Sequence, residues 1–183
     1  MNWITRTNDI TQLTQGSIVD GINWDMGNNP VSIVLSNACD LEHGHTPYLL
    51  VAALYPASDL ITSSREFIGK FNGKESYADL NSREKEKINE LLQNYIHHKT
   101  INRYYFIDCR DSDLGMLMMV DLQQIKSIPI SDRNSLKMIA NLNSPLKEQM
   151  MMQYVGYAAR IPTDRVTREE EKTLIKEILS DIT

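Results

Sequence analysis

Two cysteines in 183 residues, Cys39 and Cys109, are too few for a disulfide framework, so free thiols in a reducing compartment are the expectation. No stretch reaches the roughly 18 continuous apolar residues that a membrane helix needs. The opening Met1-Asn2-Trp3-Ile4-Thr5-Arg6 lacks the apolar section of a signal peptide. A cytoplasmic protein with no membrane engagement is therefore expected. Positive charge is also thin: 19 Lys and Arg against 24 Asp and Glu leave a formal charge of -5. Short basic groups such as Arg83 to Lys87 are broken by glutamate, which argues against strong nonspecific binding of nucleic acid but allows a local patch. The nine methionines are read as adaptable core packing, since a soft-metal site would need them to converge.

The chain carries several short apolar runs separated by long connections. Residues up to Gln15 are polar and weakly periodic, fitting a short helix or an edge segment. Gly16 to Ile22 reads as a strand, Asp25 to Pro30 as a turn, and Val31–Leu35 and Tyr48–Leu54 as two further strands. Residues 57 to 81, rich in Ser, Gly and Asn, read as a long excursion. A helix starts at Asn81 or Ser82, where Glu84 completes a capping box and Ile88, Leu91, Leu92, Tyr95 and Ile96 make an apolar face. His97, His98 and Lys99 fall in its last turn, where positive charge suits the helix dipole.

Beyond that helix, Arg103–Ile107, Met116–Val120 and Ile125–Ile130 read as strands, with a tight turn at Asp111–Gly115. Ser144-Pro145 opens another helix, with Ser144 as cap and Leu146, Met150, Tyr154, Tyr157 and Ile161 as its stripe. Pro162 interrupts it, and Thr167 with Glu170 opens a terminal amphipathic helix. The pattern predicts one domain over 1–183. Its class is α+β: a small, SH3-like, partly open β-barrel of five or six strands with peripheral and C-terminal helices. The barrel core spans 16–130 with a helical insertion near 81–98, and 144–183 supplies the C-terminal helices.

Polar chemistry concentrates after one strand. Ile33-Val34-Leu35 leads through Ser36-Asn37-Ala38 to Cys39 and Asp40, followed at once by Glu42, His43 and His45. Three readings stay open. In a catalytic one, Cys39 is a nucleophile, His43 or His45 its partner and base, and Asp40 or Glu42 the orienting carboxylate. In a metal one, Cys39, His43 and His45 offer sulfur and nitrogen ligands that suit zinc, with Cys109 or Asp40 to complete four coordination, although no CxxC pair is present. In a structural one, Cys39 is a small buried hydrophobe at a strand end and the histidines lie on a solvated loop, with no cofactor needed. A second candidate binding surface is Arg103, Tyr104 and Tyr105 with Ser36, because arginine pairs with phosphate and tyrosine stacks on bases. Arg110, Asp111 and Asp113 lie close to Cys109 in sequence, where a tight turn explains them equally well.

Gly16-Ser17-Ile18-Val19 with Pro30-Val31-Ser32-Ile33-Val34-Leu35-Ser36 resembles the first barrel strands of the MazF/PemK-like toxin fold. That resemblance covers about the first third of the chain. It implies a small SH3-like barrel, sequence-specific endoribonuclease activity and an antitoxin partner. This chain departs from the family pattern in placing Asp20 and Asp25 where a basic or polar catalytic surface is usual. Ser36-Asn37-Ala38-Cys39-Asp40, Arg103-Tyr104-Tyr105-Phe106 and Leu146 through Ile161 together also resemble an uncharacterised bacterial group found in mobile or phage-defence neighbourhoods. The expected function is a protein-interaction or regulatory module with a protein partner, with an endoribonuclease or cysteine-dependent hydrolase acting through the Cys39 region as the alternative. RNA is the second candidate partner, and the terminal helices offer a route to a homo-oligomer.

Overall fold

The computed structural model describes residues 2–26, 29–71, 74, 76–99 and 103–159. The expected terminal helix opened by Thr167 and Glu170, together with Ile161 and Pro162, lies outside the described residues. The chain begins with three short strands, β1 (Ile4–Arg6), β2 (Ser17–Asp20) and β3 (Val31–Val34). A five-residue helix α1 (Ala38–Glu42) precedes β4 (Tyr48–Pro56). Helices α2 (Ala57–Ser63), α3 (Arg65–Phe71) and α4 (Ser82–Ile96) follow. Next come β5 (Tyr104–Asp108), β6 (Leu117–Pro129), β7 (Lys137–Leu142) and helix α5 (Leu146–Ala158).

The strands form one seven-stranded antiparallel sheet in the order β1-β7-β2-β3-β4-β6-β5. It curls into a half-barrel with helices at its periphery and C-terminal end, the α+β class that the strand pattern predicts. The seven strands described differ from the expected five or six by two opposing changes, two strands added and two expected strands merged into one. β1 and β7 pair with each other, Ile4 against Leu142, and both lie outside the 16–130 core read from the sequence. The two expected strands at 116–120 and 125–130 are halves of one strand, β6, joined through a bulge: Ala53 faces Asp121 while Ala52 faces Ile125, so residues 122–124 are extra.

Strict alternation along β4 explains how one sheet carries a core on each face. Leu50, Ala52 and Leu54 join a cluster with Ile18, Ile33, Tyr105, Val120, Leu146 and Met150, which α5 covers. Leu49, Val51 and Ala53 face the other way, against Val19, Trp24, Val34, Ile128 and Met138. Buried Trp24 is tied there by its indole N–H, which donates to Ser32 Oγ at 3.0 Å. A third cluster, of Ala57, Leu91, Tyr95, Phe106 and Met119, lies between the helical excursion and β5–β6.

Local signals account for the helices unevenly. Asn81 Oδ1 accepts from Glu84 N at 3.0 Å and Glu84 Oε2 accepts from Asn81 N at 2.8 Å, so the expected capping box opens α4. The excursion after β4 is helical, with Leu60, Ile61 and Phe67 packed against the third cluster. Pro145, not Ser144, holds the cap position of α5, and the Ser144 hydroxyl donates to the Glu148 carboxylate at 2.7 Å. Among the described residues no helix is long and apolar enough to cross a membrane.

Candidate functional site

β3 ends at Val34, and Leu35 and Ser36 fasten the chain to β4: Leu35 N donates to Leu50 O at 2.8 Å, and Ser36 Oγ accepts from Leu50 N at 2.8 Å. Ser36 is thus a strand-end tie. Asn37 then caps α1, its side chain accepting from Cys39 N at 3.0 Å. Cys39 therefore sits on a helical turn and is exposed, not buried at a strand end. That corrects the structural reading, and its cause is the Asx cap, which turns the backbone before the cysteine is reached.

Asp40, Glu42, His43 and His45 are exposed around the same turn. His43 closes α1: its N–H donates to Cys39 O, and Nδ1 lies 2.8 Å from that same carbonyl. A carbonyl only accepts, so Nδ1 is the donor in this contact. Gly44, at φ 66, reverses the chain, His45 N donates to Asp40 O at 2.9 Å, and the two imidazoles stack with centroids 5.5 Å apart. The loop is a hydrogen-bonded, polar knuckle in which His43 is engaged with the backbone of Cys39 rather than with its thiol.

Beside this knuckle lies a cleft of about 460 Å³. Ala38, Leu41 and Glu42 of α1 form one wall, Ile10–Thr14 another, and Arg133 and Asn134 a third. Glu42 and Arg133 bring opposite charges to one opening, while Leu13 and Leu41 pack on the buried cluster beneath. Sequence reading missed Gln12, Arg133 and Asn134, which sit on short 3-10 turns and gain meaning only from their distance to α1 in the fold.

Cys109 belongs to a different environment. It is fully buried in the α5-facing cluster, and burial, with help from Asp108, pushes its thiol up to about 12. The proposed ligand set Cys39, His43, His45 and Cys109 is therefore divided between an exposed loop and a core. Among the described residues no group of three His, Cys, Asp or Glu side chains is placed to hold a metal ion. Arg110 pairs with Asp108 and Asp113 with Arg6, so these residues tie down the β5–β6 turn.

The second surface divides across the sheet: Tyr104 and Tyr105 take opposite faces as strand alternation requires, and Arg103, which precedes β5, lies on the Tyr104 side. Tyr105 points inward: it is buried, its hydroxyl donates to Leu146 O at 2.9 Å, and His98 stacks on its ring at 3.9 Å. Arg103 and Tyr104 stay on the outer side, with the guanidinium 5.1 Å from the Tyr104 ring. Arg103 makes a two-pronged bond to Asp121, Nε to Oδ1 at 2.6 Å and Nη2 to Oδ2 at 2.5 Å. Asp121 is 1% exposed and also accepts from Gln123 N in the bulge. Tyr55 joins through Gln124, its hydroxyl donating at 2.5 Å, and burial followed by the nearby Asp121 charge pushes that phenol up. A lone aspartate inside Met118-Met119-Val120-Asp121-Leu122 was the available sequence signal for this cluster.

No protein-family model matches the chain, and a search of curated proteins finds no significant match.

Proposed function

We propose that this chain is a cytoplasmic protein-interaction or regulatory module whose docking surface is the α1 knuckle with the cleft beside it. One observation carries the reading. The exposed knuckle has its backbone fixed by turn bonds and its His43 Nδ1 engaged with Cys39 O, with His45 stacked on that ring, next to a cleft that presents Glu42 and Arg133. Fixed, amphoteric surfaces beside an apolar floor suit recognition of a protein segment. Hydrolysis by Cys39 would call for a base directed at its sulfur. The resemblance to defence-associated bacterial proteins suggests a partner in stress response or phage defence.

The test is affinity enrichment with wild-type protein and a Glu42→Ala/Arg133→Ala variant. A discrete protein recovered in near-stoichiometric amount by wild type, and reduced about tenfold by the variant, supports the reading. If purified wild type instead cleaves RNA or a peptide substrate, and Cys39→Ala abolishes cleavage while keeping the fold, the hydrolytic alternative replaces it.

A further inference from the structure

Each edge of an antiparallel sheet is a row of backbone donors and acceptors that another strand can take up. Two edges of this sheet are blunted. His98 Nε2 donates to Phe106 O at 3.0 Å and the Gln153 amide donates to Tyr104 O at 2.7 Å, which covers the outer side of β5. At the opposite end β1 is only three residues long. A third edge lies inside the strand order. β5 accompanies β6 from Leu117 to Asp121, with one further bond from Leu122 N to Arg103 O. Past the bulge, β6 continues from Ile125 to Pro129 and, among the described residues, pairs there with β4 alone.

Ladder parity decides which groups of that segment point outward. Leu50 of β4 turns its backbone to the β3 side, since its O accepts from Leu35 N and its N donates to Ser36 Oγ. Leu49 and Val51 therefore bond towards β6, where they face Ile128 and Lys126. Ile130 N donating to Pro47 O continues the same parity. Ile125 and Ser127 are left with N–H and C=O directed away from β4, and neither backbone has a partner among the described residues. Pro129, the next residue of that parity, has no N–H and ends the edge.

The lysine that would guard such an edge is occupied: Lys126 Nζ binds Asp25 Oδ2 at 2.7 Å and Asn23 O at 2.6 Å. A cleft of about 330 Å³ borders the segment, with Ile22, Ile128 and Leu136 as apolar floor and Asp132 and Ser135 at its rim. With β5 on one side and the 130–135 turn on the other, the edge is a notch in the sheet. A single free strand enters a notch; a second sheet edge, carrying its own flanks, does not.

We propose that the Ile125–Ser127 edge of β6 receives an extended segment of a protein partner as an added strand. Four main-chain bonds, to N–H and C=O of both residues, supply the attachment, and every second side chain of the segment faces the neighbouring cleft. The proposal names the form of a partner and so deepens the interaction reading, on a surface separate from α1.

Random linear peptides selected on the full chain provide the probe. In the best binder, N-methylation scanned along the peptide should weaken binding about tenfold or more at alternate residues and leave the residues between unchanged. Amide exchange at Ile125 and Ser127 should slow in the complex. Ser127→Pro, which removes one outward N–H without touching the bonds to β4, should weaken the same peptide by a similar factor. The methylation scan uses wild-type protein, so the test survives if that variant fails to fold. An N-methylation profile without two-residue alternation, exchange at Ile125 and Ser127 that is unaltered by peptide, or protection of those amides by self-association alone would each overturn the proposal. None of these readouts involves α1, so their failure leaves the reading of that surface standing.

Discussion

The two thiols differ by position in a way that chemistry can read directly. Cys39 is exposed on a capped helical turn, whereas Cys109 is enclosed by apolar side chains that raise its thiol to about 12. Thiolate is the reacting form, so access and ionisation act in the same direction. One thiol per native chain should react rapidly with an aromatic disulfide reagent at pH 7.5. The second should react at least about a hundredfold more slowly, gated by opening of the core, and accelerate in urea. Cys39→Ser should remove the fast phase alone; two fast thiols would show that Cys109 is not core. The Cys39-Asp40-His43-His45 cluster was legible as a site because its residues are contiguous. Whether the histidine would reach sulfur or carbonyl was not, because that depends on the Asn37 cap and on Gly44.

At the scale of elements, β6 shows what local pattern misses. Its halves read as two strands because Leu122-Gln123-Gln124 breaks the alternation, and only β4 running opposite both halves makes them one. The α4 capping box was legible because both of its members lie within four residues. The bulge exists around Asp121, whose buried carboxylate accepts from Arg103 and from Gln123 N. Arg103→Ala leaves that carboxylate buried without its cation, at a cost of about 3 kcal/mol. A double substitution to apolar residues, Arg103→Met with Asp121→Leu, should recover much of this loss, since the pair and its shape are replaced together. Urea denaturation with unchanged m-values measures both. A loss below about 1 kcal/mol in Arg103→Ala would place the pair with ordinary surface ion pairs.

For the whole molecule, the half-barrel is held at its opening by rings rather than by a ladder. Trp3, next to β1, meets Phe106 of β5 edge-on at 5.7 Å, and Arg6 pairs with Asp113, so the two ends of the sheet are brought together by side chains. His98 completes this closure: it stacks on Tyr105, approaches Trp3 at 6.1 Å and donates Nε2–H to Phe106 O. Burial holds its pKa below the usual 6.5; the bond to Phe106 O opposes that shift, and His97 adds to it. The unfolded chain therefore takes up the proton first as pH falls below about 6.5, and stability drops until the folded pKa is reached. Above about 6.5 both states are neutral and this contribution is fully present. His98→Asn tolerates the φ of 49 at this position but removes the imidazole. It should be less stable than wild type at pH 7.5 and should lose up to one proton, about 1.4 kcal/mol per pH unit, from the slope of stability below pH 6.5. Urea unfolding at pH 7.5, 6.5 and 5.5 reads both effects, and parallel pH slopes for variant and wild type would show that this ring does not link closure of the sheet to pH.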